Sequence, residues 1–483
     1  MELHVNLQNR RDLAGQIYRG IRAAILDGRL RPGDRLPPTR ELAVRLDVSR
    51  NTIAVAYEWL TAEGLLAGRA GVGSFVQGEV RTAGVRKVSS PGRPLKLREF
   101  WRELPGSSEP RAPVAYEFRV GIPDARLFPF ETWRRLVARQ LRAATQTADD
   151  GEPAGHPALR ASVARHVFLA RGVRATADEV LITQGAQQAL DLIGRVLIEP
   201  GACVAVEEPG YPPARLLFQS LGARVVGVPV DSEGLDVSAL PHDARLVYVT
   251  PSHQFPLGVA MSPSRRNALL AWAEQRNAVV IEDDYDSEFR FGGRPLETLH
   301  GLDRSGRVVY VGSFSKVMLP GLRLGFLVAP PSLFAALRMA KSVADGYSQW
   351  PVQAALARFI DEGHLARHIR KMRREYESRH ERIVEALTRH FSPWLEPVPS
   401  RVGLHVSAVF SRSSTRWERD VVAQAREAGV GVQSLSEYCA ERSTQHGLIL
   451  GYGAMATNRI DEGLRRLRAS FEAVSRARSL ARG

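Results

Sequence analysis

Between residues 180 and 328 the chain repeats one pattern: a short apolar run, a turn, then a longer stretch with helical periodicity. The runs are Val180-Leu181-Ile182-Thr183, Cys203-Val204-Ala205-Val206, Val225-Val226-Gly227-Val228, Leu246-Val247-Tyr248-Val249, Val279-Val280-Ile281, Val308-Val309-Tyr310-Val311 and Gly325-Phe326-Leu327-Val328. Runs this short, apolar at successive positions, read as strands covered on both faces. Helical stretches between them supply the cover, which constrains the segment to an α/β fold with a mostly parallel sheet. After about residue 355 the pattern turns helical. A further strand-and-helix section from Val402 onward predicts a smaller C-terminal α/β lobe.

Ligands of parallel sheets bind at the carboxyl ends of the strands, so those loops are where chemistry is expected. The first strand runs into Gln184-Gly185-Ala186-Gln187-Gln188 and a helix, a geometry that aims backbone N–H groups at an anion. Val279-Val280-Ile281 ends in Glu282-Asp283-Asp284-Tyr285-Asp286, a density of carboxylates that is costly unless something positive sits there. Val308–Val311 ends in Gly312-Ser313-Phe314-Ser315-Lys316, followed by Pro320-Gly321-Leu322-Arg323.

Composition sharpens the last of these. Of 66 basic residues only five are lysines: Lys87, Lys96, Lys316, Lys341 and Lys371. Arginine serves for charge, but only lysine offers an amine that can be deprotonated for use as a nucleophile. Lys316 alone stands at the end of a buried strand, flanked by hydroxyls and with Arg323 seven residues on to hold an anion. An amine, a carboxylate and an anion site at successive strand ends answer the needs of pyridoxal phosphate. The cysteines, Cys203 and Cys439, form no disulfide framework and show no metal-ligand spacing, so no metal is expected. The start has no signal-peptide apolar core and no apolar run approaches the ~20 residues of a membrane span; a cytoplasmic protein is expected.

The N-terminal part has a different organisation. Residues 1–113 carry 19 Lys/Arg and 12 Asp/Glu, a net of +7 out of the +14 of the whole chain, which points to a polyanionic partner. Leu13, Ile17, Ile21, Ala24 and Ile25 form one helical stripe between Asp12 and Leu26. A second short helix is expected from Thr39, read as its N-cap, and a third from Ser49 as cap, carrying Ile53, Ala56, Tyr57 and Leu60. Two short helices joined by a three-residue turn make a helix-turn-helix, and Leu65–Val76 reads as a β-hairpin wing. Such a unit lays its third helix in the major groove of double-stranded DNA. Arg50, Asn51 and Thr52 would then meet base edges and phosphates, with Arg40 and Arg69 clamping the backbone. The boundaries expected are a winged helix-turn-helix at 1–77, a Pro/Gly/Ser-rich tether at 78–113 with a short helix within Leu95–Leu104, and the α/β part at 114–475.

Leu36-Pro37-Pro38-Thr39-Arg40-Glu41-Leu42-Ala43 and Val48-Ser49-Arg50-Asn51-Thr52-Ile53 resemble the winged helix of GntR-family bacterial regulators. That resemblance implies DNA contacts from Arg40, Arg50, Asn51, Thr52, Arg69 and Gly71. Ser313-Phe314-Ser315-Lys316 through Gly325 resembles the lysine motif of class I aminotransferases, of the type I fold. Together with Thr250–Gly258 and Glu282–Phe289, the whole chain is similar to the MocR/GabR regulators, over residues 10 to about 475.

The resemblance implies that Lys316 forms the Schiff base with pyridoxal 5'-phosphate, Asp283 pairs with the pyridinium nitrogen and Tyr285 hydrogen-bonds the ring hydroxylate. Gly185 shapes the phosphate turn; Ala186, Gln187, Ser313, Ser315 and Arg323 surround the phosphate, and Tyr211 stacks on the ring. It also implies a head-to-tail homodimer that senses pyridoxal phosphate or an amine or amino-acid effector. Three departures stand out. Phe255 occupies the slot where aminotransferases place Asn, leaving Ser252, His253 or Gln254 to substitute; Asp150 stands where many relatives have Tyr; and Leu448–Ala456 lacks the arginine that clamps a substrate carboxylate, its position falling near Ile449. The readings to be separated are a cofactor-dependent regulator, a working aminotransferase that also binds DNA, and a cofactor-free dimerisation domain.

Overall fold

The computed structural model describes residues 7, 12–69, 72–77, 95–104, 113–142, 152–293, 296–346, 348–411, 415–440 and 445–480. The chain divides into two compact units, Met1–Leu97 and Arg98–Gly483. Gly71, Asp150, Lys87 and most of the tether lie outside the described residues.

In the first unit three helices, Leu13–Leu26, Thr39–Arg45 and Arg50–Ala62, precede an antiparallel hairpin of Leu66–Arg69 and Gly73–Val76. Ile17, Ile21, Leu42, Ile53 and Leu60 are fully buried together, the apolar stripes expected from their spacing. Ser49 caps the third helix as expected, accepting from the Thr52 N–H at 3.1 Å. Thr39 does not cap the second. Pro38 holds the extended N-cap backbone, so Thr39 is already the first helical residue and its side chain makes no cap bond.

The second unit is built on an eight-stranded sheet in the order Val180–Thr183, Gly325–Val328, Val308–Ser313, Val279–Asp284, Ala244–Val249, Cys203–Glu208, Arg224–Asp231, Gly234–Leu235. The five strands from Val308–Ser313 to Arg224–Asp231 are mutually parallel. Gly325–Val328 runs antiparallel to both its neighbours. The connection from Ser313 to Gly325 is too short for the crossover that a parallel pair needs, and it is occupied by the Lys316 loop. A second sheet joins Leu395–Pro397, His405–Phe410, Gly447–Gly451 and Gln433–Ser434 in the smaller lobe. The expected helix in the tether region is present as Glu99–Glu103.

Register is what positions the site. Asp283 lies opposite Val311, and Asp284 opposite Gly312, just before Ser313. Gly325 lies opposite both Ser313 and Thr183. The carboxylate loop, the lysine loop and the phosphate loop therefore emerge side by side at one edge of the sheet.

Candidate functional site

A cavity of about 600 Å³ opens at those strand ends. Its walls include Ala186, Gln187, Tyr211, Asp283, Tyr285, Ser313, Ser315, Lys316 and Arg323, so residues expected from four separate loops converge on one space. Gly185 lies behind its wall at φ +82, a left-handed-region value that favours glycine, and begins the helix Ala186–Leu197. A Cβ on Gly325 would fall 2.7 Å from the Gly185 Cα, so the turn packs against this strand only because Gly325 lacks a side chain. The Arg323 guanidinium rests over this turn and donates to the Gln184 carbonyl at 2.7 Å. Together with the first N–H groups of the helix, it forms an anion cradle.

The carboxylates sort themselves by strand pleat. Glu282 accepts from the Leu299 and His300 N–H groups at 3.0 and 2.8 Å. Asp284 is held by Arg171 and the Tyr310 hydroxyl, each at 2.7 Å. Burial pushes the Asp284 carboxyl up, but Arg171 and Tyr310 outweigh it and leave it below the usual range. Asp283, between them, points the other way, into the cavity wall. One oxygen accepts from the Tyr248 hydroxyl at 2.7 Å; the other is buried without a partner. Burial pushes this carboxyl up to about 7. A cationic N–H beside the free oxygen would satisfy it, and that is what a pyridinium ring offers.

Lys316 is half-buried and donates to the Gly121 carbonyl at 2.7 Å. Burial pulls its amine below the ordinary lysine range, against the opposing pull of Asp286 and Asp283. Of the other described lysines, Lys341 is fully buried and ion-paired to Asp345 at 2.7 Å, a structural arrangement. The Tyr285 hydroxyl reaches the His253 carbonyl at 2.9 Å and His253 Nδ1 at 3.0 Å. His253 Nδ1 in turn lies 3.0 Å from Asp286.

Two of the three departures, Phe255 and Ile449, meet in one apolar cluster. Phe255 packs edge-on to Tyr438, Tyr211 and Tyr285 with ring centroids 5.2–5.9 Å apart, and lines the cavity. Ile449 is fully buried with Leu257, Leu435 and Tyr438 in an apolar cluster that Phe255 joins. Ser252 is engaged by Arg171 at 2.6 Å, and Gln254 by Glu207 and two carbonyls. Neither of them, nor His253, lines the cavity in place of Asn. Sequence reasoning missed Tyr248, Thr250, Gly121, Arg119, Gln433 and Tyr438, all in the cavity wall. In the sequence Tyr248 is one residue of an apolar strand, and its hydroxyl at the strand end is the one signal that marks it.

In the first unit Arg40, Arg50, Asn51 and Arg69 are exposed, and Thr52 is half-buried with its hydroxyl 2.8 Å from that of Ser49. Arg19, Arg22, Arg29 and Arg45 are ion-paired to Asp12, Glu63, Asp27 and Glu41. Arg40, Arg50 and Arg69 have no acidic partner among the described residues; Arg69 lies over the Phe75 ring at 5.0 Å. Arg35, not singled out from sequence, bridges to Phe75 of the wing, and its guanidinium flanks Gly73. Among the described residues, Arg40, Arg50 and Arg69 thus keep their charge free of ion pairs, unlike Arg19, Arg22, Arg29 and Arg45.

Residues 13–76 match the gntR family of bacterial regulatory proteins, and residues 119–444 match aminotransferase class I and II. The chain is 38% identical to a probable rhizopine catabolism regulatory protein, MocR, of Rhizobium meliloti, over 96% of this chain and 95% of the relative. It is 32% identical to the pyridoxine biosynthesis transcriptional regulator PdxR of Corynebacterium glutamicum, over 91% of each. Among solved structures, LysN, the α-aminoadipate aminotransferase of Thermus thermophilus in complex with N-(5'-phosphopyridoxyl)-L-leucine, aligns with a TM-score of 0.68 at 32% identity. That alignment covers 75% of this chain and 93% of LysN. No helix of the described residues is long and apolar enough to cross a membrane.

Proposed function

The chain belongs to the MocR type of GntR-family transcription regulators, and on that premise we propose that Lys316 anchors pyridoxal phosphate and that the state of this site governs operator binding. The chain is a DNA-binding regulator whose larger unit has the pyridoxal-phosphate-binding aminotransferase fold. When bound, the cofactor supplies an aldehyde carbon that links reversibly to primary amines. Arg323, Ser313, Ser315 and the N–H groups at Ala186 and Gln187 would bind its phosphate, whose charge near −2 makes Arg323 the strongest single contact. The free oxygen of Asp283 would accept a hydrogen bond from the pyridinium N–H and keep it protonated, while Tyr248 fixes the other oxygen. Tyr285 would hold a proton toward the ring hydroxylate, and Tyr211 would cover the ring face. The depressed amine of Lys316 is more often neutral than an ordinary lysine, as a nucleophile must be.

The buried, unpartnered oxygen of Asp283 in the wall of the cavity that holds Lys316 carries this reading. An amine effector, or the cofactor itself, would bias two conformations of a head-to-tail dimer and so reposition the winged helices. The apolar seal around Ile449 leaves the strand Gly447–Gly451 without the arginine that aminotransferases place there, a departure that favours the regulator over an ordinary transaminase.

The test is Lys316→Ala. The variant should lose the visible absorbance of the bound cofactor and the dependence of operator binding on added pyridoxal phosphate or amine, while still binding DNA. Retention of both properties would contradict the reading.

A further inference from the structure

The strand Gly447–Gly451 offers no cation, and Ile449 on it is sealed among Leu257, Leu435 and Tyr438. The cavity nevertheless has a free cation from the adjoining segment. Arg119 lines it, is exposed, and makes no side-chain hydrogen bond or ion pair among the described residues.

The main chain at Arg119 runs beside that same strand. The Gly451 N–H donates to the Phe118 carbonyl at 2.9 Å, and a Cβ on Gly451 would fall 2.2 Å from the Arg119 carbonyl oxygen. The next residue, Val120, donates its N–H to Gln433 Oε1 at 2.9 Å, and Gln433 pairs directly with Ile449. One residue further, the Gly121 carbonyl accepts a hydrogen bond from Lys316 Nζ at 2.7 Å. Residues 119 and 121 can be at most about 7 Å apart between their Cα atoms. A guanidinium and the reactive amine are therefore held on one short stretch of backbone, facing one cavity.

We propose that Arg119 is the anion anchor of the effector pocket, taking over from the neighbouring segment the role that an arginine on Gly447–Gly451 performs in aminotransferases. This rests on the cofactor reading above. The ligand class is a primary amine that also carries an anionic group, a carboxylate or a sulfonate. The planar guanidinium pairs with either through two parallel N–H donors, whereas the aromatic wall of Phe255, Tyr211 and Tyr438 offers an anion no charge. A charge-assisted contact of this kind changes affinity about tenfold to a hundredfold.

Cofactor-loaded full-length protein, as wild type, Arg119→Gln and Arg119→Lys, is titrated with 3-aminopropanoate, 3-aminopropanesulfonate and propylamine while the cofactor absorbance is followed. Wild type should respond to at least one anionic amine at lower concentration than to propylamine, and the two anionic arms identify which anion the pocket takes. Arg119→Gln should raise the half-saturating concentration of that amine at least about tenfold and leave propylamine within about twofold. Arg119→Lys should recover part of the loss. Equal shifts for charged and neutral amines, no shift for any, or no response of the loaded wild type to amines would overturn the proposal. So would a changed oligomeric state of Arg119→Gln with amine discrimination intact, which would assign Arg119 to contacts between chains. A wild-type chain that takes up no cofactor would instead end the cofactor reading itself.

Discussion

Asp283 shows how one residue is singled out from a crowded loop. Its neighbours Glu282 and Asp284 are held by main-chain N–H groups and by Arg171, away from the cavity, whereas Asp283 keeps a buried oxygen without a partner in the cavity wall. Replacing it as Asp283→Asn removes the negative charge but keeps the shape. Losing one member of a buried charge pair costs about 2–5 kcal/mol, so cofactor affinity should fall by about thirtyfold or more, as read from absorbance titration. The pH dependence follows from the raised carboxyl. With its folded value pushed to about 7, above the ordinary aspartate range, Asp283 favours folding fully in acid and loses that contribution as pH rises through 7. A cationic ring nitrogen beside it removes the penalty on the charged form. The gain in melting temperature on adding pyridoxal phosphate should therefore be larger at pH 8 than at pH 6, and Asp283→Asn should flatten that difference. The loop was legible from its four carboxylates at a strand end, but Asp283 was singled out within it only by the family resemblance. Tyr248 and Arg119 were not, because their roles come from register and neighbouring backbone, which no local pattern encodes.

At the scale of elements, the phosphate loop is braced from behind. Asp345, at the end of the helix Pro331–Asp345, accepts from Gln184 Nε2 at 3.1 Å and Gln188 Nε2 at 2.7 Å, and holds the fully buried Lys341 at 2.7 Å. Asp345→Ala would strand the Lys341 charge. Breaking such a pair costs about 3–5 kcal/mol, so the urea midpoint should drop markedly and cofactor affinity should fall with it. Lys341 was legible only as a lysine in a helical stretch, since its partner is four residues along the same helix but the loop it braces is far away in sequence. In the winged unit the helices were legible from their apolar spacing, and the cap at Ser49 from residue type. The second helix begins at Thr39 as expected, but its cap was misassigned by one residue because Pro38 supplies the N-cap conformation without a side-chain bond. Ser49→Ala should cost that unit about 1 kcal/mol, measured by its unfolding transition. Arg50→Ala should weaken specific operator binding more than binding to random DNA, as a residue at the groove-facing helix start should; equal losses would make it a phosphate contact.

For the whole molecule, uneven charge is the main clue to partnership. Half of the net charge lies in residues 1–113, and Arg40, Arg50 and Arg69 have no acidic partner among the described residues. Operator affinity should accordingly fall at least about a hundredfold between 50 and 200 mM salt, the response of a protein that displaces several counterions. The fold class was legible throughout, because alternating apolar runs and helices leave few alternatives. The antiparallel strand Gly325–Val328 was not, since its direction depends on the length of the loop before it. The central claim is that, of five lysines, Lys316 is the one that carries the cofactor. Borohydride reduction of the pyridoxal-phosphate-loaded protein, followed by peptide mass mapping, tests it directly. One covalent adduct is expected, on the peptide containing Lys316. An adduct confined to another lysine, or none on a protein that shows bound-cofactor absorbance, would contradict it.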